Sequence, residues 1–161
     1  MSFQICIKTD KSLHQLATEI RKLLSLPPFQ ETAFSGEPYC QFETCGMLIL
    51  VHQMEEEERD PEVKRYPYAF DVQFSFTDHE LDTDIMEYQL QPYYAQLLSF
   101  HLGIETAYRE QKKEARGWQI RYRFCRKNHK WSGSVLFGEP GWEPAILEAS
   151  PSQWRSMQPF F

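Results

Sequence analysis

The segment of residues 68–76 restricts the fold of this chain more than any other part of the sequence. Apolar residues alternate with polar ones along it, which is typical of a β-strand with one buried face. The apolar positions are Phe70, Val72, Phe74 and Phe76. The chain must therefore build a sheet, and another part of the molecule must cover one side of it.

Residues 84–90 show the same alternation, and we predict that they form the second strand of a hairpin with residues 68–76. The connection over residues 77–83 is too long for a tight two-residue turn and carries several carboxylates. We therefore expect an open acidic loop between the two strands.

A helix follows this hairpin, and a proline indicates where it starts. Pro92 would cost about 3 kcal/mol inside a helix, whereas a proline at the first helical position is favourable. The alternative is one helix over residues 84–102, capped by Asp84 with Glu87 in a capping box. Because of Pro92 we predict instead that the helix begins there and stops at Gly103.

The N-terminal part of the chain supplies another helix and further strands. Residues 3–7 alternate as a first strand, and residues 10–25 carry an apolar stripe at helical spacing. Residues 29–38 contain a glycine and a proline, which predicts a loop. Strands are predicted at residues 39–44 and 46–53, and the apolar run in the second is typical of a central strand.

The C-terminal part adds strands and an irregular tail. Strands are predicted at residues 104–109 and 118–124, with a short last strand at 134–137. Several prolines interrupt the tail over residues 138–161. Residues 150–153 combine a serine cap, a proline and a glutamine, which predicts a short helix there.

Length and composition fit a single domain over residues 1–161, with the Pro-rich tail packed on its body. The chain has 161 residues, of which 42% are apolar and 15% aromatic, enough for a proper core. We predict the α+β class: a two-layer domain with a mostly antiparallel, aromatic-rich sheet and two main helices, at 10–25 and 92–102, on one face. The early strand–helix–strand–strand order is compatible with a ferredoxin-like core, which carries no function by itself.

The apolar runs and the cysteines indicate the cellular compartment of the protein. The longest apolar run, residues 47–51, is too short to span a bilayer, and the first residues lack a signal-peptide pattern. Four scattered cysteines are too few for a disulfide scaffold. They are Cys6, Cys40, Cys45 and Cys125. We therefore expect reduced thiols and a cytoplasmic protein that does not bind a membrane.

Charge is distributed very unevenly along the chain. Residues 109–130 hold nine basic side chains against two acidic ones, a net charge of +7, although the whole chain has a net charge of −6. Residues 54–87 hold three basic and twelve acidic side chains, a net charge of −9. This asymmetry predicts either charged binding faces or mutual neutralisation across the sheet.

The basic strand itself indicates which side chains face a partner. Arg121 and Arg123 alternate with apolar neighbours, so they should face solvent or a partner while the aromatic residues enter the core. A protein that binds single-stranded nucleic acid would rather expose its aromatic residues beside the cations. The candidate partner-binding residues are Arg116, Arg121, Arg123, Arg126, Lys127, Lys130 and Trp131.

The acidic loop is the second candidate site. Its carboxylates are those of Asp78, Glu80, Asp82 and Asp84. They lack the glycine and the terminal glutamate that a calcium loop requires. Cys40 and Cys45 also lack the spacing and the second pair of a zinc site. We therefore interpret the loop as a solvated or partner-binding surface and predict no metal ion.

No catalytic or cofactor motif occurs in the sequence. A serine elbow, a phosphate loop, a paired-histidine zinc motif and a dinucleotide fingerprint are all missing, so no cofactor is predicted. We expect a non-enzymatic binding or regulatory protein that acts through charged faces on a protein partner or on itself. Two alternatives remain: a nucleic-acid-binding protein that uses residues 116–131, and a small enzyme whose site combines dispersed His, Asp and Cys residues.

Overall fold

The computed structural model describes residues 2–34, 36–74, 83–127, 145–147 and 151–157. Within these ranges the chain forms one antiparallel sheet and two α-helices. The helices are α1 (Leu13–Leu24) and α2 (Thr83–Leu102). The strands are β1 (Ser2–Lys8), β2 (Gln30–Phe34), β3 (Glu37–Thr44), β4 (Met47–Gln53), β5 (Tyr68–Phe74), β6 (Glu105–Glu114), β7 (Gly117–Lys127), β8 (Ala145–Leu147) and β9 (Arg155–Ser156).

The sheet has the strand order β2-β3-β4-β5-β1-β6-β7-β8, and β9 pairs with β7 as well. All pairings between the described strands are antiparallel. The α+β class and the antiparallel, aromatic-rich sheet are therefore confirmed.

β1 lies in the middle of this sheet, between β5 and β6. Its residues Phe3, Ile5 and Ile7 are at most 3% exposed. They point to the same side as Phe70 and Val72 of β5, into the main core. The predicted shared face of the strand at 68–76 is thus confirmed as far as Phe74; Phe76 is outside the described residues.

Helix α1 packs on this same face and begins at a capping box. The Ser12 hydroxyl accepts the N–H of Gln15, and the Gln15 side chain accepts the N–H of Ser12. Leu16, Ala17 and Ile20 are fully buried in the main core. The predicted first helix is confirmed, with Ser12 as its N-cap.

Helix α2 contradicts the prediction for residues 84–102. It is one unbroken helix of 20 residues with Pro92 inside it, so the predicted strand at 84–90 and the helix start at Pro92 are both wrong. Contacts on both sides of the proline explain this. Ala95 and Leu98 are fully buried after it. Before it, Leu90 packs against the main core, and Gln91 donates to two backbone carbonyls of the sheet. A buried leucine contributes about 1.5–3 kcal/mol, comparable with the cost of the proline.

β2 occupies part of the predicted loop at residues 29–38, so that prediction is wrong over Gln30–Phe34. β2 is an edge strand, because β3 is its only neighbour among the described strands. Gln30, Glu31 and Ala33 are exposed. An edge strand with mostly polar exposed residues has little hydrophobic alternation, and its pairing with β3 decides its structure.

The described part of the tail contains a strand where a helix was predicted. Residues 151–154 are irregular, and β9 pairs with β7 directly afterwards. The Ser152 hydroxyl accepts the N–H of Tyr122 (2.6 Å), and the Ser152 N–H donates to the Tyr122 carbonyl (3.0 Å). The predicted helix start is wrong over residues 151–153, because Ser152 bonds to β7; the predicted cap Ser150 is outside the described residues. The predicted strand at 134–137 is outside the described residues.

The charged connection between β4 and β5 covers the second face of the sheet. Met54 and Val63 of this connection are 7% and 1% exposed. They pack with a cluster formed by Cys6, Ala69, Ala107 and Tyr122. Arg59 holds the connection together, because its guanidinium donates to the carbonyls of Met54 (2.7 and 3.0 Å) and Lys64 (2.7 Å). The connection therefore has a structural role beyond that of a solvated loop.

Replacing Pro92 tests how much the helix loses at the proline. Alanine restores an N–H group and removes the ring clash, so Pro92→Ala should raise the free energy of unfolding by about 1–3 kcal/mol in urea titrations. The control Gln96→Ala, one turn later at a half-buried position, should change it by less than about 0.5 kcal/mol. Unchanged or lower stability of Pro92→Ala would contradict the prediction.

Candidate functional site

Among the described residues, the longest continuous run of exposed positions lies in the outer part of the β6–β7 hairpin. Every residue from Gln111 to Trp118 is exposed, and Trp118 itself is 45% exposed. The strands continue their pairing to Glu114 and Gly117, leaving a two-residue turn. We call residues 111–118 the basic arm, since Lys112, Lys113 and Arg116 outnumber its one acidic residue.

The described tail supports the base of the basic arm. Trp154 lies beside Lys112 of the arm and Arg121 of the adjoining part of β7, with the Lys112 ammonium 4.3 Å and the Arg121 guanidinium 4.5 Å from the ring centroid. The Met157 N–H donates to the Trp118 carbonyl at 2.9 Å. These contacts fix the arm's base, so a partner would meet a surface that is already ordered.

Arg121 and Arg123 lie on the side of β7 opposite Tyr122, as the alternation predicted. Both are half-buried, however, with side chains 25% and 23% exposed. Glu110 of the neighbouring strand neutralises them at 2.8 Å and 3.6 Å. Mutual neutralisation across the sheet therefore describes these two arginines, and their role in partner binding stays a prediction.

The other predicted partner-binding residues are dispersed. Arg116 is exposed in the turn of the basic arm, and Arg126 is exposed near the opposite end of β7. The Lys127 ammonium lies 5.6 Å from the centroid of Phe100. Lys130 and Trp131 are outside the described residues.

The predicted acidic loop is also largely outside the described residues. This applies to Asp78, Glu80 and Asp82, whereas Asp84 belongs to the first turn of α2.

Described carboxylates do concentrate on the connection after β4. Glu55–Glu58 are four consecutive exposed glutamates, and Glu37 of β3 lies close to them. Partial burial, the charge of Glu58 and a hydrogen bond with Glu55 raise the pKa of Glu37. We call Glu37 and Glu55–Glu58 the acidic cluster. Its mutual repulsion would be relieved by a cation from outside.

A cleft of about 370 Å³ lies on the second face of the sheet. It opens where β1 and β6 stop pairing: Ile5 and Tyr108 are partners, but Gln4 and Arg109 are not. The Gln91 amide from α2 donates to the carbonyls of Gln4 and Arg109, each at 3.3 Å. The Gln91 side chain thus stabilises the two strands in their separated position and keeps the cleft open.

Two arginines and the two carboxylates of Glu58 and Asp60 line this cleft together with neutral polar groups. Arg109 contributes from the sheet and Arg59 from the covering connection. Gln4 and Gln111 contribute exposed amides. The Tyr122 hydroxyl donates to Asp60 Oδ2 at 2.5 Å, and burial raises the pKa of Tyr122 above its ordinary value.

The wall of the cleft is tied to the C-terminal strand by Arg155. Its guanidinium donates to both carboxylate oxygens of Glu62, at 2.5 and 3.1 Å, and lies 3.6 Å from Asp60 Oδ1. The hydrogen bond to Arg155 lowers the pKa of Glu62, and the same bond raises the pKa of Arg155. Asp60 is therefore occupied from two sides, by Tyr122 and by Arg155.

A His–Asp pair lies on the second face as well. His52 Nε2 is 2.7 Å from Asp71 Oδ2. Burial lowers the pKa of His52, but the hydrogen bond to Asp71 raises it, and the result is above its ordinary value. On this face Cys6 is 3% exposed, and burial with the charge of Asp71 raises its pKa to about 12. Such a thiol stays protonated at neutral pH and is a poor nucleophile.

Metal and membrane sites were searched over the described ranges. No group of three His, Cys, Asp or Glu side chains in them is arranged to hold a metal ion. Neither described helix is both long and apolar enough to cross a membrane.

The cleft was not predicted from the sequence. Its lining comes from β1, the connection after β4, α2, β6 and β7. These residues are too far apart in the sequence to form a short motif. Because we predicted that the second helix begins at Pro92, Gln91 was not placed on that helix. The only available signal was Arg109 at the start of the basic segment.

Comparison with protein-family models, with curated proteins and with solved structures finds no match for this chain. The function must therefore be inferred from the geometry itself.

Thiol reactivity tests the burial of the cysteines, none of which is in a disulfide. In the native protein at neutral pH, only exposed Cys45 should react quickly with a thiol reagent. Buried Cys6 and Cys40, with pKa values raised to about 12 and about 11, should react slowly. Denaturant without reductant should expose all four thiols. Cys45→Ser should abolish the fast phase, and a second fast thiol would contradict the structure.

The His52–Asp71 pair predicts a pH-dependent stability. The folded pKa of His52 is above the unfolded value of 6.5, so its stabilisation is complete below about pH 6.5 and is lost as pH rises through the folded pKa. His52→Gln should cost about 1 kcal/mol in urea unfolding near pH 5 and less near pH 9. The control His14→Gln removes an exposed pair with Glu31 and should change little. Equal losses at both pH values would contradict this.

Proposed function

We propose that this chain is a non-enzymatic binding protein that acts through the basic arm, with a second copy of the chain as its partner. The observation that carries the proposal is the basic arm, in which every residue is exposed and Trp118 is 45% exposed. Tryptophan and arginine are the residues most often responsible for binding energy at protein interfaces. Arg116 in the turn and Trp118 near the start of β7 supply these two residue types.

The net charge of the whole chain favours a protein partner over a nucleic acid. Within the described residues, Arg121 and Arg123 pair with Glu110, and Lys112 pairs with Glu114 at 3.0 Å. These two glutamates are already counted in the net charge of +7 of the basic segment, and they pair with three of its nine cations. A nucleic acid would be repelled by a chain of net charge −6.

A second copy supplies the matching charge. The acidic cluster on the connection after β4 opposes the arm in sign, and its crowded carboxylates raise the pKa of Glu37. In a two-fold symmetric dimer each arm would contact the partner's acidic cluster, so both contacts form at once. Complementary charges of this kind guide association and fix its register.

We also infer a ferredoxin-like core for the fold. The order β4-β5-β1-β6, with α1 after β1 and α2 after β5, supports it. This core is a scaffold and adds no argument about function.

Sedimentation velocity at low and high salt tests the proposal. We expect a dimer at low salt that dissociates as salt rises, because exposed charges are screened. Arg116→Glu and Trp118→Ala should each weaken the dimer by about tenfold or more while leaving the melting temperature nearly unchanged. Lys22→Glu makes the same charge change at an exposed position of α1 and serves as the control.

A charge exchange makes the test specific for the acidic cluster. Glu57→Lys alone should weaken the dimer, and mixing it with Arg116→Glu should restore both contacts, one with the original charges and one with the charges exchanged. A chain that is monomeric at every salt concentration, or a dimer that Arg116→Glu and Lys22→Glu affect equally, would refute the proposal.

A further inference from the structure

We propose that the cleft on the second face is a binding site for a small anionic ligand whose carboxylate or phosphate group pairs with Arg109. This site shares only Gln111 with the basic arm. Its volume of about 370 Å³ is within the range of small-molecule sites.

The charge of Arg109 is uncompensated within the described part of the chain. None of the ion pairs found there includes Arg109, although its side chain is half-buried. Its two buried neighbours, Cys6 and Tyr122, have raised pKa values and stay neutral at physiological pH. A half-buried guanidinium without a counter-charge can pair with an anion from solvent, and partial burial strengthens that pairing.

The acidic residues of the cleft do not supply that counter-charge. Asp60 already accepts the Tyr122 hydroxyl and faces Arg155. Glu58 is exposed and belongs to the acidic cluster. Arg59 adds a second positive charge, since its guanidinium bonds only to backbone carbonyls among the described residues.

The rest of the lining indicates the class of ligand. The amides of Gln4 and Gln111 are exposed at the cleft and can donate to or accept from polar groups. Arginine binds carboxylates and phosphates through two parallel N–H groups. The cleft therefore suits a small polar molecule with one anionic group at Arg109 and neutral hydrogen-bonding groups near the two glutamines.

Titration with inorganic phosphate against sodium chloride of equal ionic strength tests the site. Phosphate should raise the melting temperature of the wild type and shift the backbone amide resonances of Gln4, Cys6 and Gln111. Arg109→Gln should weaken phosphate binding by about tenfold or more. Lys22→Gln, at an exposed position of α1 outside both proposed sites, should leave the affinity unchanged.

A second pair of variants covers the case in which Arg109→Gln fails to fold. Gln111→Glu places a negative charge at an exposed position of the cleft and should weaken phosphate binding. Gln73→Glu makes the same change at an exposed position of β5 and should not. The proposal is wrong if chloride acts as well as phosphate, if phosphate has no effect on the wild type, or if both glutamate variants respond alike.

Discussion

Burial of both faces of β1 is the constraint on which the rest of the structure depends. Phe3, Ile5 and Ile7 require cover on one side, and Cys6 requires it on the other. The two helices cover the first side, and the connection after β4 covers the second through Met54 and Val63. The acidic cluster is therefore part of the cover of a buried strand, and the cleft is the place where that cover is incomplete.

The elements that the sequence predicted correctly are those whose burial is local and periodic. α1 combines a capping box at Ser12 with an apolar stripe, and β1 and β5 alternate cleanly. The errors occurred where long-range contacts outweigh local preference. Leu90 and Gln91 attach to the sheet before Pro92, which keeps α2 continuous. β2 is strand because β3 pairs with it, and Ser152 bonds to β7.

The candidate site was predicted only in part, because net charge along a segment does not show which charges are free. Arg116 is an exposed cation, whereas Arg121 and Arg123 face Glu110 across the strand pair. Arg109 was counted only within the segment of net charge +7, although it lines the cleft and takes part in none of the ion pairs among the described residues. Whether a cation on this sheet is paired depends on strand register and on where the strands separate. Both depend on the full set of strand pairings.

The central place of β1 also has a consequence for how the chain is made. Its two neighbours are β5 and β6, so the partner Tyr108 leaves the ribosome about 100 residues after Ile5. At roughly 5–20 residues per second this interval is about 5–20 s, during which this buried strand has at most one neighbour. Such non-local pairing slows folding and exposes an unpaired edge to other nascent chains. Early formation of α1, directly after β1, would shield the face of Ile5 and Ile7 during that time.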